Sequence, residues 1–574
     1  MQIRSVHIHN FRSIADAKID FHDYTLITGA NNTGKSNLID AIRAFYGDYK
    51  YSPAKDKPKF GCDSESWVEV EFELTDDEQS SLAEKYHRPN YRLIVRRFLA
   101  THDRNRQDNL FAYEGDEISE DQFYGASNIQ KGKLGKLIYI PASSRVSDHM
   151  KTTGPSAWRD LLTDLCSSLV KSSPSYERLA KEFESFESAF KQEETDDERS
   201  LVGLETAINN DIELWDTKFQ LHINPISPNE IIKYLISCTL IDNHLENAEL
   251  EEQQFGQGFQ RQLIFTLLRL AAEYQTPKEK KKTKDFDPEL TLLLFEEPEA
   301  YLHPSQQAIL YQSLRKMSCQ ESYQVVVSSH SPHFVSYQAE HIPSIIRLNR
   351  TDGKTCVGQI GHDRLTQIFA DNQEINTLLQ NTKYEPSADD LTADMEAVKY
   401  GVWLDSQRCE LFFANHVLLV EGPTERTLLN HLFNTGEIGI PKGGVVVVDC
   451  FGKFNMHRFM NLLAAFQIRH SILMDGDKKT EGQTSCHTSI QEMIKQNATP
   501  FTGKIRCFSK DIEDFLGIER PTAHRKPQHM MLCIHQGRIE RARLEKFKQL
   551  IEDLLVWERF DDIKTVEVDT PVTA

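Results

Sequence analysis

The chain opens on alternation. In "IRSVHIHNF", "WVEVEFEL" and "YRLIVRRFL" apolar residues return at about every second position, and "YTLITG" is a short apolar run. Both patterns are those of strands, so a mostly β opening is expected. One helical pattern, "KSNLIDAIRAFYG", interrupts it, and "KLIYIPA" at 136–142 is a further buried strand. From about residue 156 to 250 the period changes. Leu161, Leu162, Leu165 and Leu169, then Leu179, Phe183, Phe186 and Phe190, recur at helical spacing with charges between them. This predicts a helical insertion, too interrupted for a long coiled coil. "EETDDERS" at 193–200 reads as a solvated turn.

Regular patterns resume with a helix in "RQLIFTLLRLAAEY" (261–274), then a lysine-rich loop, the strand "LTLLLF" (290–295), a helix from Pro298 and the strand "YQVVVSS" (323–329). Residues 371–412 are polar and mixed, and read as a linker. A second α/β pattern follows: strand "HVLLVEG", helix "TERTLLNHLF", strand "GVVVVDC", helix "FNMHRFMNLLAAF", strand "HSILMDGD". Strands alternating with helices imply a small parallel sheet.

Length and composition narrow the class. At 574 residues several domains are expected. No apolar run approaches the roughly 18 residues that a membrane span needs, and the N-terminus lacks an apolar signal core. Ten scattered cysteines without a C-x-x-C pair suggest neither a disulfide framework nor a zinc site. A cytoplasmic, reduced chain is expected. The net charge of −20 counts against DNA binding over the whole surface, but leaves room for a local basic groove or metal-bridged phosphate contacts. Lys278, Lys280–Lys282 and Lys284, and the stretch Arg538–Lys548, are the basic candidates; a solvated loop and a solvated helix face are the favoured reading of them.

"GANNTGKS" (Gly29–Ser36) fits G-x-x-x-x-G-K-[ST] between a strand and a helix. The glycines let backbone N–H groups wrap phosphate oxygens, and the helix N-terminus adds partial positive charge. Lys35 would reach the β- and γ-phosphates and Ser36 would ligate Mg²⁺. Gly29, Asn32, Gly34 and Asn37 complete the ATP-binding set. In "LTLLLFEEPEAYLHP" a buried strand ends in Glu296 and Glu297. Glu296 would hold the Mg²⁺ of the nucleotide and Glu297 would position the attacking water; acids ahead of Pro298 could instead complement a helix dipole. His330, ending "VVVSSH", could sense the γ-phosphate. Gly256, Gly258 and Gln260 in "FGQGFQRQLIF" open a helix whose N–H groups suit an anion, or form an ordinary N-cap.

"HSILMDGDKK" places Asp475 and Asp477 at the end of an apolar run. Residues i and i+2 face one side of an extended segment. Two carboxylates so placed repel unless a cation sits between them, and Mg²⁺ prefers such oxygens. D-G-D is also good turn chemistry. Glu421 ends a neighbouring apolar strand in "HVLLVEG", Glu425 lies in the first turn of the helix that follows, and "KDIEDFL" adds Asp511 and Glu513. In a parallel sheet such strand ends share one edge, where ligands bind.

P-loop, G-x-G-x-Q-R, apolar-E-E-P-E-x-x-L-H-P and S-S-H-S-P, in that order, resemble the ABC-type ATPases of the SMC and OLD (overcoming lysogenization defect) group. E-G-P-T-E, D-G-D and D-I-E-D resemble the TOPRIM domain fused to OLD ATPases. The resemblance implies an α/β chain: an ABC/SMC-like P-loop ATPase in two parts, 1–155 and 251–370, with a helical dimerisation insertion at 156–250. A linker, 371–412, a TOPRIM domain of Rossmann-like parallel sheet, 413–535, and a helical tail, 536–574, follow. It implies that Gly256, Gly258 and Gln260 act on a second subunit's nucleotide and that His330 is the switch histidine. Glu296 stands where many ABC ATPases carry Asp. Glu421, Glu425, Asp475, Asp477, Asp511 and Glu513 would bind two Mg²⁺ or Mn²⁺ ions, and Lys526 would sit near the scissile phosphate. The implied activity is ATP-regulated, metal-dependent DNA endonuclease cleavage in anti-phage defence of the Gabija-like or retron-associated kind. It would be carried out by a homodimer or higher homo-oligomer with a helicase-like protein or retron nucleic acid as partner, and without a membrane. The alternative is an ATP-dependent DNA clamp or scaffold with an inactive TOPRIM fold.

Overall fold

A computed structural model describes residues 1–103, 105–125, 133–142, 166, 170, 173–193, 200–213, 217–221, 240–242, 248–250, 254–273, 286–380, 382, 384–476, 486–559 and 568–569. The chain divides into two compact units, Met1–Ile138 with Lys284–Ala574, and Tyr139–Thr283.

The N-terminal part holds β1 (Gln2–Phe11), β2 (Ile14–Asp20), β3 (Tyr24–Thr28), β4 (Ser66–Glu73), β5 (Arg92–Ala100), β6 (Leu110–Glu114), β7 (Glu117–Ile118) and β8 (Lys136–Ile140). Six of them form an antiparallel sheet in the order β2-β1-β4-β5-β6-β7. Its alternation is literal: Val6 and Ile8 are buried while His7 and His9 face outward. That is the pattern of a sheet with one wet face.

The second unit contains the helices Pro174–Gln192 and Leu201–Ile212, a hairpin of β9 (Leu240–Asp242) and β10 (Ala248–Leu250), and the helix Gln257–Glu273. Pro174 sits at the first position of its helix, and the Ser200 hydroxyl accepts from the Gly203 N–H at 3.1 Å to cap the next. Phe186 and Phe190 stack at 5.2 Å and are exposed. Leu161, Leu162, Leu165 and Leu169, most of the turn at 193–200, and Lys278, Lys280–Lys282 and Lys284 lie outside the described residues.

The rest of the first unit carries β11 (Thr291–Glu296), β12 (Tyr323–Ser328), β13 (Ile345–Thr351) and β14 (Lys354–Gly358). A second six-stranded sheet runs β14-β13-β3-β12-β11-β8. Its β13, β3, β12 and β11 are parallel, and β3, β11 and β12 are buried at every position. Both faces are covered, which is why these strands read as unbroken apolar runs. The parallel order brings the ends of β3, β12 and β11 to one edge.

The helix expected from Pro298 begins instead at Pro304. Glu297 and Tyr301 adopt positive φ, 43° and 67°, which no helix tolerates. His303 caps the true start, with Pro304 at the first position.

The described residues of 371–412, a stretch read as a linker, are folded. They include the helices Ile375–Leu379 and Ala393–Trp403, which follow the helix His362–Asn372. The Tyr400 hydroxyl, fully buried, accepts from Asn372 Nδ2 at 3.0 Å and donates to the Arg458 carbonyl at 2.9 Å. Glu396 is fully buried and accepts from Arg458 Nε and Nη2, both at 2.8 Å. Burial works to raise the Glu396 carboxyl, but Arg458 and Lys399 hold it below the ordinary value.

A third sheet is formed by β15 (His416–Val420), β16 (Val446–Asp449), β17 (Arg469–Met474), β18 (Thr502–Phe508) and β19 (Val568–Asp569), in the order β16-β15-β17-β18-β19 and wholly parallel. The described residues of 536–574, a stretch read as a tail, belong to this domain. Phe547, Ile551 and Leu554 of the helix Arg541–Leu555 enter the core with Leu428, Leu473 and Phe508, and β19 extends the sheet. Among the described residues, no helix is long and apolar enough to cross a membrane.

Removing one partner of a buried ion pair leaves the other uncompensated. Glu396→Ala is therefore expected to cost about 3–5 kcal/mol, and Glu396→Met with Arg458→Met to recover most of it. Chemical-denaturation midpoints decide the matter: an unshifted midpoint in the single variant would show that the pair contributes nothing.

Candidate functional site

The loop after β3 leaves no room for side chains at two of its glycines. A Cβ on Gly29 (φ 135°) would lie 2.3 Å from the Leu348 carbonyl oxygen, and one on Gly34 (φ 109°) 2.3 Å from Thr355 Oγ1. Asn32 is also left-handed, at φ 65°. The loop ends in the helix Lys35–Tyr46, where Ser36 is exposed. Lys35 is buried and its Nζ donates to the carbonyls of Gly29 at 2.8 Å and Ala30 at 3.0 Å. Burial pulls its ammonium down to about 8, against the carboxylates of Glu297, Glu299 and Glu296. Asn37 donates to Ser13 Oγ at 2.6 Å and accepts from Arg12 at 3.2 Å, so it braces the loop's neighbours.

Glu296 is buried at the end of β11. Glu297 is half exposed, and its N–H donates to the Ser328 carbonyl at 2.7 Å. His330 Nε2 lies 3.8 Å from Glu297 Oε1. Burial, then the Lys35 charge, lowers the affinity of His330 for a proton, which favours the neutral ring. Glu299 was missed in the sequence reading. It accepts from the His330 N–H at 2.6 Å and from Ser329 Oγ at 2.9 Å, and so fixes the histidine loop. Its place in E-E-P-E was the available signal. A glycine cradle, a lysine held on loop carbonyls and an exposed serine fit a nucleoside triphosphate with its metal. Within the second unit, Gly256 precedes the helix Gln257–Glu273, Gly258 lies in its first turn, and Gln260 is buried with Nε2 donating to the Phe255 carbonyl at 2.8 Å.

The third sheet gathers the acids. Glu421 follows β15, Asp475 follows β17, and Glu421 Oε1 accepts from the Asp475 N–H at 2.8 Å across 54 residues of sequence. Gly476 is dictated by packing: a Cβ there would lie 2.2 Å from the Phe508 carbonyl oxygen and 2.5 Å from that of Ser509. The D-G-D glycine thus lets the end of β17 press against the end of β18. Asp477 lies outside the described residues.

Lys453, which the sequence reading did not single out, supplies the local cation. It is buried, lies 3.3 Å from Glu421 Oε1 and donates to the Asp475 carbonyl. Gly452 N–H donates to the Glu421 carbonyl at 2.7 Å. The motif G-K opening a helix after a strand was the only trace of it in sequence. Glu425 accepts from the Gly422 N–H at 3.1 Å and is buried. Burial, with the Glu421 charge adding to it, pushes the Glu425 carboxyl up to about 7, while Lys526 opposes the rise.

Asp511 and Glu513 are buried beside Arg520 and Lys526, with Arg520 Nη1 2.9 Å from Asp511 Oδ2 and Lys526 Nζ 2.9 Å from Glu513 Oε1. Neither of those oxygens receives a well-directed hydrogen bond. Buried carboxylate oxygens left incompletely satisfied fit a divalent cation. The set is nonetheless open: among the described residues, no three His, Cys, Asp or Glu side chains converge closely enough to hold an ion. Lys526, expected near the scissile phosphate, is paired here with Glu513.

The raised Glu425 has a definite sign. Between about 4.5 and 7 the folded chain keeps a proton that the unfolded chain gives up, so stability falls as pH rises through that window, by on the order of 3 kcal/mol in all. Thermal melting without metal should shift downward from about pH 5 to pH 8. Added Mg²⁺ or Mn²⁺ should raise the melting temperature more at the higher pH, and Glu425→Gln should flatten both dependences. A pH-independent metal effect in the unaltered protein would contradict the role.

Known families match both the first and the last part of the chain. The family profile described as AAA ATPase domain matches residues 1–200 and 73–335, and that described as overcoming lysogenization defect protein-like, TOPRIM domain, matches 412–477. The Old nuclease of Escherichia phage P2 is 25% identical, over 93% of this chain and 90% of its own. The OLD nuclease of Thermus scotoductus is 27% identical over 40% of this chain and 41% of its own. The endonuclease GajA of Bacillus cereus is 22% identical over 56% of this chain and 43% of its own. With an ATPase sheet and its glycine cradle in the first part and acids on a parallel TOPRIM sheet in the second, the chain belongs to the OLD family.

Proposed function

We propose that the chain is an ATP-regulated, divalent-metal-dependent DNA endonuclease. The observation that carries this reading is the edge of the third sheet, where Glu421 is tied to Asp475 and Lys453 and the carboxyl of nearby Glu425 is buried and raised. Glu421, Asp475 and Asp477 would hold one ion, and Glu425, Asp511 and Glu513 a second. Bound Mg²⁺ or Mn²⁺ supplies activation of water and stabilisation of the leaving oxygen in phosphodiester hydrolysis. Lys453 holds the Glu421 and Asp475 segments in register. Lys526, paired with Glu513, would meet the phosphate.

Regulation by ATP draws support from one short strand. On β14, Thr355 Oγ1 donates to the Thr33 carbonyl of the nucleotide loop at 2.8 Å. Three residues on, a Cβ on Gly358 would lie 2.6 Å from the Phe466 carbonyl oxygen, and Gln467 Nε2 meets the Val357 carbonyl at 3.5 Å. On the adjacent β13, buried Arg347 donates to the Ala414 carbonyl at 2.6 Å, directly ahead of β15. Nucleotide binding would therefore press on elements packed against the metal-binding sheet. Lys35, Ser36, Glu296, Glu297 and His330 would serve the nucleotide, with Gly256, Gly258 and Gln260 acting on a second subunit's ATP in a homo-oligomer. The family resemblance extends the reading to anti-phage defence beside a partner component.

Supercoiled plasmid incubated with the purified chain, with metal and ATP varied independently, tests the proposal. Cleavage should require Mg²⁺ or Mn²⁺. Asp475→Ala should lower it at least about 100-fold while DNA binding persists, and Lys35→Ala should abolish the response to ATP. Metal-independent cutting, or cutting indifferent to both substitutions, would overturn it. DNA binding without cutting under any metal would favour the scaffold.

A further inference from the structure

Resting on the nuclease reading, we propose that Phe451 is a stacking platform for an unpaired nucleobase next to the cleaved phosphate, so that the preferred substrate is single-stranded or locally unpaired DNA. Phe451 lies just past the end of β16, the neighbour of the strand that delivers Glu421. Adjacent strands are about 4.8 Å apart. Phe451 therefore stands about one strand spacing from Glu421, on the side away from Asp475. The next residue, Gly452, donates to the Glu421 carbonyl, and the one after, Lys453, holds Glu421 itself. A strand whose phosphate lay over Glu421 and Asp475 would bring a neighbouring base to this ring.

Three features distinguish Phe451 from an incidental surface aromatic. Its φ is 55°, a left-handed conformation that costs a bulky L residue about 1–3 kcal/mol and that glycine would adopt freely. It is 50% exposed, so burial does not repay that cost. Its ring is held from beneath by the Arg408 guanidinium, 3.8 Å from the centroid. Arg408 is itself immobilised: it is buried, donates Nε to the Asp449 carbonyl at 3.0 Å, and pairs with Asp405 and the Asp449 carboxylate. Trp403 is stacked with it, the ring centroids 6.3 Å apart and the planes inclined by 30°. One face of a fixed ring is thus covered by a cation while half of the residue stays open to solvent. A base can stack on the exposed part of the ring without its sequence being read, and only a base that has left its own stack can do so. The −20 net charge makes this apolar contact more valuable, because the surface as a whole repels phosphates.

The test uses the full chain carrying Glu421→Gln with Mg²⁺ present, and a single-stranded oligonucleotide of about 20 residues containing 2-aminopurine. Binding should quench the probe's fluorescence. Adding Phe451→Ala should remove the quench and weaken single-strand binding about 5- to 150-fold, the range of one lost base–aromatic stack. Duplex binding should change less than about twofold. Phe451→Trp should retain both properties. Phe451→Gly discriminates further: it relieves the left-handed strain, so a purely structural role would be rescued by it and a stacking role would not. In the cleavage assay Phe451→Ala should raise KM on single strands and leave kcat nearly unchanged. Equal behaviour on single strands and duplex, rescue by glycine, or a quench that survives Phe451→Ala would overturn the proposal. If the unaltered chain cuts no DNA, the nuclease reading fails, and the fluorescence result still decides the stacking.

Discussion

The architecture of the C-terminal sheet depends on one electrostatic constraint: carboxylates brought to the ends of buried strands must be matched by positive charge. Glu421, Glu425, Asp475, Asp511 and Glu513 all descend on one edge of a parallel sheet, and Glu425, Asp475, Asp511 and Glu513 are buried. Among the described residues the protein answers with Lys453, Lys526 and Arg520, each beside a carboxylate. That answer is partial. Burial still raises Glu425, and oxygens of Asp511 and Glu513 still lack well-aimed donors. An edge arranged in this way favours added positive charge.

The nucleotide loop is built on the opposite principle. There the loop encloses a lysine and presents backbone. The positive φ of Gly29 and Gly34 and the close approach of Leu348 and Thr355 shape a cradle that side chains would fill. Lys35, its proton loosened by burial, is satisfied by two loop carbonyls. Those carbonyls are weak substitutes for phosphate oxygens, so the lysine is easily drawn to a more strongly charged ligand.

Between the two sites runs a buried polar junction. Arg347 spends its charge on backbone carbonyls, and burial with the nearby Arg469 pulls its guanidinium down to about 10. Tyr400, Asn372 and Arg458 exchange hydrogen bonds out of reach of water. Such contacts hold one geometry strictly, because each broken bond would strand a polar group in low dielectric. These residues explain why 371–412 reads as a linker. Its polar composition is that of a loop, but Glu396 is polar because its partner, Arg458, stands 62 residues away.

What the sequence determined alone were the local features. Alternation marked the antiparallel opening, unbroken apolar runs marked the strands covered on both faces, and G-x-x-x-x-G-K-S, E-E-P-E and D-G-D marked the strand ends where chemistry could sit. Each depends on neighbours within a few residues, so each survives without coordinates. Tertiary structure alone decided the long-range matters. It set Lys453 against Glu421, made Gly476 a packing necessity under Phe508, started a helix at Pro304 because Glu297 and Tyr301 turn left-handed, and drew the final helix into the TOPRIM core. Pairing between distant residues leaves no periodic trace in a chain, because the pattern along a strand records which face is buried and not what buries it.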